Sequence, residues 1–337
     1  MKELDEPAAR PESWKHVFGP VVSRRLGMSL GIDPVPPKSC NWNCVYCQLG
    51  RTTPLMGHRE EFVPTREILS EVEDRLASLD PEGLDWVTIV GSGEPLLNSG
   101  IGALIRGIKE ATRVPLAVIT NGSLLSQPEI REQVAPADAV LPTLDVGSAG
   151  LFRRVNRPHP GISYQEHLQG LVDFRKMYPG KIFLEVMLVR GINDSEEDLE
   201  LTAERAAEIR PDEIHISLPD RPPAEPWVVP AGEEAVARAS RLLGRTSRVL
   251  CPGETVLTLK DSEDALERLV SVIGRHPLKE AQVIGALASV SPEKKAAILE
   301  GLGSSEYVKR VCRLGEFFWV SNSARFPEEG SSDHRDR

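Results

Sequence analysis

Short apolar runs rich in Val and Ile recur along the chain at a spacing of roughly 30 residues, the length of one strand followed by one helix. The runs are almost continuously apolar, and such strands are buried on both faces, as in a parallel sheet. Stretches with helical spacing of apolar residues separate them. Five runs show the pattern clearly and cover residues 85–95, 114–122, 138–147, 181–191 and 212–220.

The stretches between these runs predict the helices. We expect helices over residues 101–111, 128–134 and 233–243, a helix from Tyr164 with the capping box Ser163 and Glu166, and one capped by Asp194 or Ser195. An earlier strand over 29–33 with a helix over 66–79 brings the count to about six β/α units. The predicted fold class is α/β, a partial parallel (β/α)6 TIM-like barrel.

The pattern changes after about Gly274. Two short helices are predicted, the second with Ser291 as N-cap and Pro292 at its first position, followed by two short strands over 307–311 and 315–320. This order favours a small winged-helix-like C-terminal domain. The predicted division is an N-terminal extension, a barrel, the small domain and a disordered tail, over residues 1–17, 18–273, 274–325 and 326–337.

Composition narrows the class of protein. The 337 residues carry a net charge of −10, which disfavours general attraction to polyphosphate or anionic lipid. No run of about 18 apolar residues occurs, and the polar start does not resemble a targeting peptide, so we expect a cytoplasmic protein with no membrane partner. Five cysteines, an odd number with three crowded together, fit metal or redox chemistry better than disulfides.

Three of the cysteines, Cys40, Cys44 and Cys47, have the spacing C-x3-C-x2-C. Three thiolates in one loop can hold a metal or cluster and leave one coordination position open, which is typical of a catalytic centre. The alternative is a structural zinc with His58 as fourth ligand. Cys251 and Cys312 are isolated, and we expect both to be buried and inert.

Active-site residues of a β/α barrel lie at the carboxyl ends of its strands and in the loops that follow them. The stretch Gly91 to Glu94 and Asp145 occupy such positions, whereas Asn121 reads as a turn residue and His215 as a core histidine. Arginines are also concentrated there, and arginine binds carboxylate or phosphate bidentately, so an anionic substrate is predicted. The arginines are Arg153, Arg154, Arg157, Arg190 and Arg221, and Arg24 and Arg25 could join them.

The cysteine motif with Tyr46 before its last cysteine, followed one strand later by Gly-Ser-Gly-Glu-Pro, resembles the radical S-adenosylmethionine (radical SAM) superfamily. The resemblance implies that Cys40, Cys44 and Cys47 hold a 4Fe-4S cluster. It implies that S-adenosylmethionine (SAM) binds near six residues: Tyr46, Gly91, Ser92, Gly93, Glu94 and Asp145. Substrate contacts are expected from Arg154, Arg157, Arg190 and Arg221.

Residues 18–50, 155–164, 184–194 and 221–226 resemble a narrower group, the uncharacterised iron–sulfur oxidoreductases related to tRNA wyosine-base synthases. Residues 1–39 lack the extra cysteines with which those synthases hold a second cluster. The resemblance implies a flavodoxin or ferredoxin-type electron donor. It leaves open a small-molecule, peptide, protein or tRNA substrate, with the C-terminal domain as a recognition module. A non-enzymatic zinc protein is the remote alternative. We expect SAM cleavage to survive loss of the residues after Gly274.

Overall fold

The structure is a computed structural model that describes residues 16–79, 83–251, 257–259 and 264–326. One sheet of eight strands forms its larger part, with the strands in chain order from β1 to β8. The strands are β1 (Val17–Ser23), β2 (Gly27–Ile32), β3 (Trp86–Ile89), β4 (Leu116–Thr120), β5 (Ala139–Pro142), β6 (Lys181–Met187), β7 (Glu213–Ser217) and β8 (Ser247–Val249).

Strands β2 to β8 are parallel, and β1 pairs antiparallel with β2. Each parallel strand from β2 to β7 is followed by a helix, which confirms the predicted α/β fold of about six β/α units. Among the described residues β8 and β1 form no ladder, although Arg248 Nη2 donates to the carbonyl oxygen of Arg25 at 2.8 Å. The barrel is therefore open between its first and last strands.

The helices over the sheet lie close to their predicted positions. The capping box of Ser163 and Glu166 is present, and Ser195 rather than Asp194 is the N-cap of the following helix. The helices are α1 (Thr65–Ala77), α2 (Ile101–Ala111), α3 (Pro128–Val134), α4 (Ala149–Val155), α5 (Tyr164–Met177), α6 (Glu196–Ile209) and α7 (Glu233–Leu243). Periodicity did not predict α4, which has only seven residues.

The strands are almost continuously apolar because both of their faces are buried. In β4, Leu116 and Val118 belong to the main core, which also holds the inward faces of the helices. Ala117 and Ile119, which alternate with them, pack in a second small cluster with Ala139 of β5. Burial on both faces is what a parallel sheet covered by helices requires.

The C-terminal residues form a small unit with its own core. Its elements are α8 (Ala265–Arg275), β9 (Leu278–Lys279), α9 (Glu280–Ala286), α10 (Pro292–Gly303), β10 (Val308–Arg313) and β11 (Glu316–Ser321), with the three strands in the order β10-β11-β9. This agrees with the predicted pair of helices and the strands that follow them. The winged-helix assignment itself stays a prediction.

The core of this C-terminal unit includes residues that precede the predicted boundary at residue 274. Leu257, Leu259 and the apolar face of α8 belong to it, as do Phe18 and Val21 of β1. We therefore place the start of the unit near residue 257. The predicted N-terminal extension lies outside the described residues except for 16–17, and the predicted tail lies outside them except for residue 326.

Candidate active site

A cavity of about 260 Å³ lies at the carboxyl ends of the parallel strands. The loops after β2, β3, β4, β5 and β7, two residues of β6 and the turn between β1 and β2 form its walls, and the C-terminal unit adds one side chain, His276. Many of the residues predicted to carry the chemistry line it together: Cys40, Cys44, Tyr46, Cys47, Gly91, Ser92, Gly93, Glu94, Asp145 and Arg221. Asn121, predicted only as a turn residue, lines it as well. Elements that are far apart in the sequence thus meet where the β/α topology predicts.

The cysteine loop follows β2 and is pinned to the segment after α4. The amide of Val45 donates to the carbonyl oxygen of Val155 at 2.9 Å, and that of Asn43 donates to Asn156 at 3.1 Å. Trp42 is buried beneath the loop, edge-to-face with Phe152 at 5.1 Å between ring centroids. These contacts hold the loop in place without using any of its thiols.

Each cysteine sulfur has a nearby N–H donor. The amide of Trp42 is 3.4 Å from Cys40 Sγ, Asn156 Nδ2 is 3.8 Å from Cys44 Sγ, and Lys38 Nζ is 3.3 Å from Cys47 Sγ. Burial raises the pKa of Cys40 to about 12 and that of Cys44 well above its ordinary value. The thiolates that a cluster needs therefore require positive charge beside them, which bound iron supplies.

The zinc alternative finds no support in this geometry. His58 does not line the cavity, and its side chain is 71% exposed at 3.7 Å from Glu60. Across the described ranges, no three His, Cys, Asp or Glu side chains converge on a point where one metal ion could sit. A 4Fe-4S cluster does not need such convergence, because each cysteine binds a different iron atom. The three cysteines thus fit a cluster better than a single ion.

The loop after β3 runs directly against the start of the cysteine loop. The amide of Glu94 donates to the carbonyl oxygen of Ser39 at 2.8 Å, and the amide of Lys38 donates to that of Ser92 at 2.7 Å. A Cβ atom on Gly93 would lie 1.9 Å from the carbonyl oxygen of Ser39. Only glycine permits this approach, which agrees with the close backbone contact expected at this motif.

The Glu94 carboxylate is held by the end of β4. It accepts from Thr120 Oγ1 at 2.6 Å, the amide of Asn121 at 2.7 Å and the amide of Leu96 at 3.0 Å. Burial raises the pKa of Glu94 to about 7, and these three hydrogen bonds oppose the shift. The side chain therefore joins the loops after β3 and β4.

Asn121 has the predicted turn role and a second one. Its Oδ1 accepts from the amide of Ser123 at 2.9 Å, as in an Asx turn. Its Nδ2 donates to Asn41 Oδ1 at 2.7 Å, inside the cysteine loop. The residue thus connects the end of β4 with the segment that carries the thiols.

Tyr46 and Asp145, predicted separately, are in contact. The Tyr46 hydroxyl donates to Asp145 Oδ2 at 2.5 Å, Asn156 Nδ2 donates to the same oxygen at 2.6 Å, and the amide of Met187 donates to Oδ1 at 2.8 Å. Burial raises the pKa of Asp145 to about 6, and these donors oppose the shift. A carboxylate has about four acceptor positions, so capacity remains for a ligand hydroxyl.

The arginines divide into two groups. Arg221 lines the cavity together with Arg24 and Arg25, whereas Arg153, Arg154, Arg157 and Arg190 are not among the lining residues. Arg157 instead forms an ion pair with Glu225 at 2.6 Å. The placement of these four arginines does not support their predicted contact with substrate. Arg153 and Arg154 lie on α4 and Arg157 in the turn after it, whereas Arg190 follows β6 and its amide donates to the carbonyl oxygen of Val229.

The sequence reasoning missed Glu225, a buried carboxylate that joins three segments. It accepts both hydrogen bonds of Arg51 at 3.0 and 2.8 Å in addition to the one from Arg157, and its amide donates to the carbonyl oxygen of Val45. Residues 51, 157 and 225 are too far apart in the sequence for a local pattern to pair them. The stretch RPPAEP, which contains Glu225, was the only signal.

Two predictions about single residues have clear outcomes. His215 is fully buried in the sheet, with Nε2 at 3.0 Å from Glu213, as expected of a core histidine. The prediction for Cys251 and Cys312 was wrong, because both are exposed. Cys312 lies on β10, an edge strand whose side chains point alternately towards the unit and towards solvent, and it occupies an exposed position.

Similarity to known proteins agrees with this site. The radical SAM superfamily profile matches residues 35–206. A UPF0026 protein of Methanocaldococcus jannaschii is 33% identical over 278 residues, covering 81% of this chain and 86% of that protein. A protein named GTPase Obg from Brachyspira hyodysenteriae is 37% identical over 227 residues. The match covers 67% of this chain but only 33% of the length of that protein.

Among solved structures, a radical SAM methyltransferase from Sphaerobacter thermophilus superimposes with a TM-score of 0.46 at 16% identity, covering 66% of this chain and 65% of that one. The profile match and the UPF0026 relative show that the chain belongs to the radical SAM superfamily, whose enzymes use a 4Fe-4S cluster and SAM. The relation to tRNA wyosine-base synthases stays a prediction. Within the described ranges, no helix combines the length and hydropathy needed to cross a bilayer.

Proposed function

We propose that this chain binds a 4Fe-4S cluster through Cys40, Cys44 and Cys47, cleaves SAM reductively and takes a hydrogen atom from an anionic substrate. The observation that carries the proposal is the convergence of the three thiols, the Gly91 to Glu94 loop and Asp145 on one cavity. When bound, the cluster and SAM supply an electron and a sulfonium whose cleavage yields methionine and a radical able to abstract hydrogen.

The protein residues have separate tasks in this proposal. Gly91 to Glu94 line the cavity, and the missing Cβ of Gly93 lets this loop pack against Ser39, where it can meet the amino group of SAM. Asp145, fixed by Tyr46 and the amide of Met187, offers carboxylate oxygens to ribose hydroxyls. The walls formed by the strand-end loops keep water away from reacting atoms.

The charges on the cavity wall support an anionic substrate. Arg24 pairs with Asp220 at 2.8 Å and Arg25 with Glu185, so these two cations are balanced. Arg221 forms no ion pair with the described residues, so no carboxylate neutralises its charge by direct contact. A cation in a partly buried cavity favours an anionic ligand. No described contact selects a tRNA or a peptide, so both remain alternatives.

The experiment is anaerobic reconstitution of the full-length chain with iron and sulfide. We expect about four iron and four sulfide per chain and formation of 5′-deoxyadenosine from SAM under a strong reductant. Cys44→Ala should lose the cluster and the product, whereas Cys312→Ala, which changes an exposed cysteine outside the cavity, should keep both. Stoichiometric zinc with no iron uptake would contradict the proposal.

A further inference from the structure

Residues from the barrel and from the C-terminal unit meet on one wall of the cavity. Ser217 ends β7, Arg221 follows it by one loop, and His276 directly follows α8. All three line the cavity. This wall is therefore built by both parts of the protein.

Arg221 is anchored by one end of its guanidinium group only. Nη1 donates to Gln48 Oε1 at 2.6 Å and to His276 Nδ1 at 3.2 Å, while Nε and Nη2 make no hydrogen bond with the described residues. Burial lowers the pKa of Arg221 to about 10; the neighbouring Asp220 opposes this shift, and Arg24 and Arg25 add to it. The free N–H groups and the unbalanced charge both favour an oxoanion as ligand.

His276 holds Arg221 without neutralising it. A guanidinium group can only donate, so Nδ1 of His276 must be the acceptor and the ring proton must lie on Nε2. Burial and the neighbouring arginines, Arg221 first, lower the pKa of His276 well below its ordinary value. A neutral acceptor orients the guanidinium group and leaves its positive charge for a ligand.

Ser217 is a second residue on this wall with unused hydrogen-bonding capacity. The residue is only 3% exposed, and its Oγ makes no hydrogen bond with any described residue. A buried hydroxyl without a partner costs free energy, which a ligand oxygen in the cavity would recover. The nearest acidic groups are engaged elsewhere, since Asp220 pairs with Arg24 and Glu185 with Arg25.

We propose that Arg221 and Ser217 bind a phosphate or carboxylate group of the substrate, and that His276 of the C-terminal unit is a positioning residue for Arg221. The inference deepens the proposed function and rests on it. The C-terminal unit then shapes substrate affinity directly. SAM also carries a carboxylate, so the experiment must separate the two sources of an anion.

The experiment uses full-length protein that holds its cluster and is saturated with SAM. Inorganic phosphate and malonate are the probes, titrated by calorimetry, and the Kd of SAM is measured in a separate titration. Arg221→Gln should weaken binding of the better probe by about 10- to 100-fold. His276→Phe should weaken it as well, and His276→Asn, which keeps an acceptor, should restore much of the loss. Arg241→Gln, an exposed pair with Glu196, is the matched control.

Four results would overturn the inference. They are no binding of either probe by the SAM-saturated wild type, equal probe affinity in Arg221→Gln, equal affinity in His276→Phe, and loss of SAM affinity rather than probe affinity in Arg221→Gln. The last result would assign the arginine to the SAM carboxylate. Failure of the wild type to hold a cluster or bind SAM would instead contradict the proposed function, so the two failures are distinguishable.

Discussion

At the scale of single residues, the geometry of the site depends on the missing side chain of Gly93. Gly93 has no Cβ, and therefore the loop after β3 can run against the carbonyl oxygen of Ser39. The two hydrogen bonds between these segments fix the distance between the cysteine loop and the proposed SAM site. Adding one methyl group at Gly93 should thus move the cysteine loop and the proposed SAM site apart.

We predict that Gly93→Ala weakens SAM binding by at least about tenfold, because a Cβ at 1.9 Å from Ser39 O must push the backbone segments apart. Equilibrium dialysis with SAM on the reconstituted protein measures the effect. Gly150→Ala is the control, since a Cβ there meets no atom within 4 Å. Equal SAM affinity in the two variants would contradict the role given to Gly93.

The sequence predicted most site residues at this scale but not their partners. Cysteine spacing and the strand-end position of Gly91 to Glu94 are local patterns, and both led to the cavity. Glu225 and His276 were missed because their contacts, with Arg51 and with Arg221, join residues more than 50 positions apart. The arginines on α4, after it and after β6 were assigned by position alone, which carries no information on side-chain direction.

At the scale of elements, α5 supports the cysteine loop from below through His167. This residue is 1% exposed, stacks on Phe152 at 5.4 Å between ring centroids and meets Trp42 edge-to-face at 5.2 Å. Its Nε2 lies 3.1 Å from the carbonyl oxygen of Thr143. Burial lowers the pKa of His167 to about 4, so the native ring is neutral.

This shift predicts a loss of stability in acid. The unfolded chain takes up a proton on this histidine near pH 6.5, whereas the native state accepts one only near pH 4. The stabilisation of the native state by the neutral ring is therefore fully present above pH 6.5 and is lost as the pH falls towards 4. From pH 7 to pH 5 the wild type should lose about 2 kcal/mol more unfolding free energy than His167→Gln. Urea unfolding at both pH values measures the difference. His58→Gln, at an exposed position, should behave like the wild type.

Strand and helix positions were the most predictable part of the molecule. The bounds of α2, α3 and α7 agree with the amphipathic stretches, because a covered parallel sheet requires an apolar face on each helix and continuous apolar runs in the strands. The antiparallel β1 and the short α4 and β8 were not predicted. β8 has only three residues, and β1 is defined by its antiparallel pairing with β2. Length does not explain the failure for α4, since α3 also has seven residues.

At the scale of the whole molecule, the two units are joined through a buried ion pair. Arg275 Nε lies 2.9 Å from Asp33 Oδ2, and the side chains are only 4% and 2% exposed. Asp33 also accepts from the amide and the hydroxyl of Ser92. The end of α8 thus reaches the loop that is proposed to bind SAM, and the next residue, His276, reaches Arg221.

We predict that Arg275→Met destabilises the protein by about 3–5 kcal/mol, because Asp33 is left as a buried charge without its cation. SAM affinity should fall as well, since Ser92 shares that carboxylate. Urea unfolding and SAM titration measure the two effects. Arg310→Met, which removes a half-exposed pair with Glu280 in the same unit, should cost about 0–1 kcal/mol.

Equal effects of the two substitutions would show that the buried pair does not join the units. The same contact argues against the expectation that SAM cleavage survives loss of the residues after Gly274. That division was drawn from a change in apolar period, which does not reveal that His276 lines the barrel's cavity or that Arg275 pairs with Asp33 of the barrel.

The backbone pairing of Gly50 with Arg325 has a consequence for biogenesis. The amide of Arg51 donates to the carbonyl oxygen of Arg325 at 3.0 Å, so the segment directly after the third cysteine is secured by residues near the far end of the chain. Ribosomes make Arg325 long after they make the cysteine loop, and domains fold in the order of synthesis. Until Arg325 has been synthesised, the nascent barrel therefore presents its thiols in an unfinished loop, and cluster insertion into the finished loop must wait for that residue.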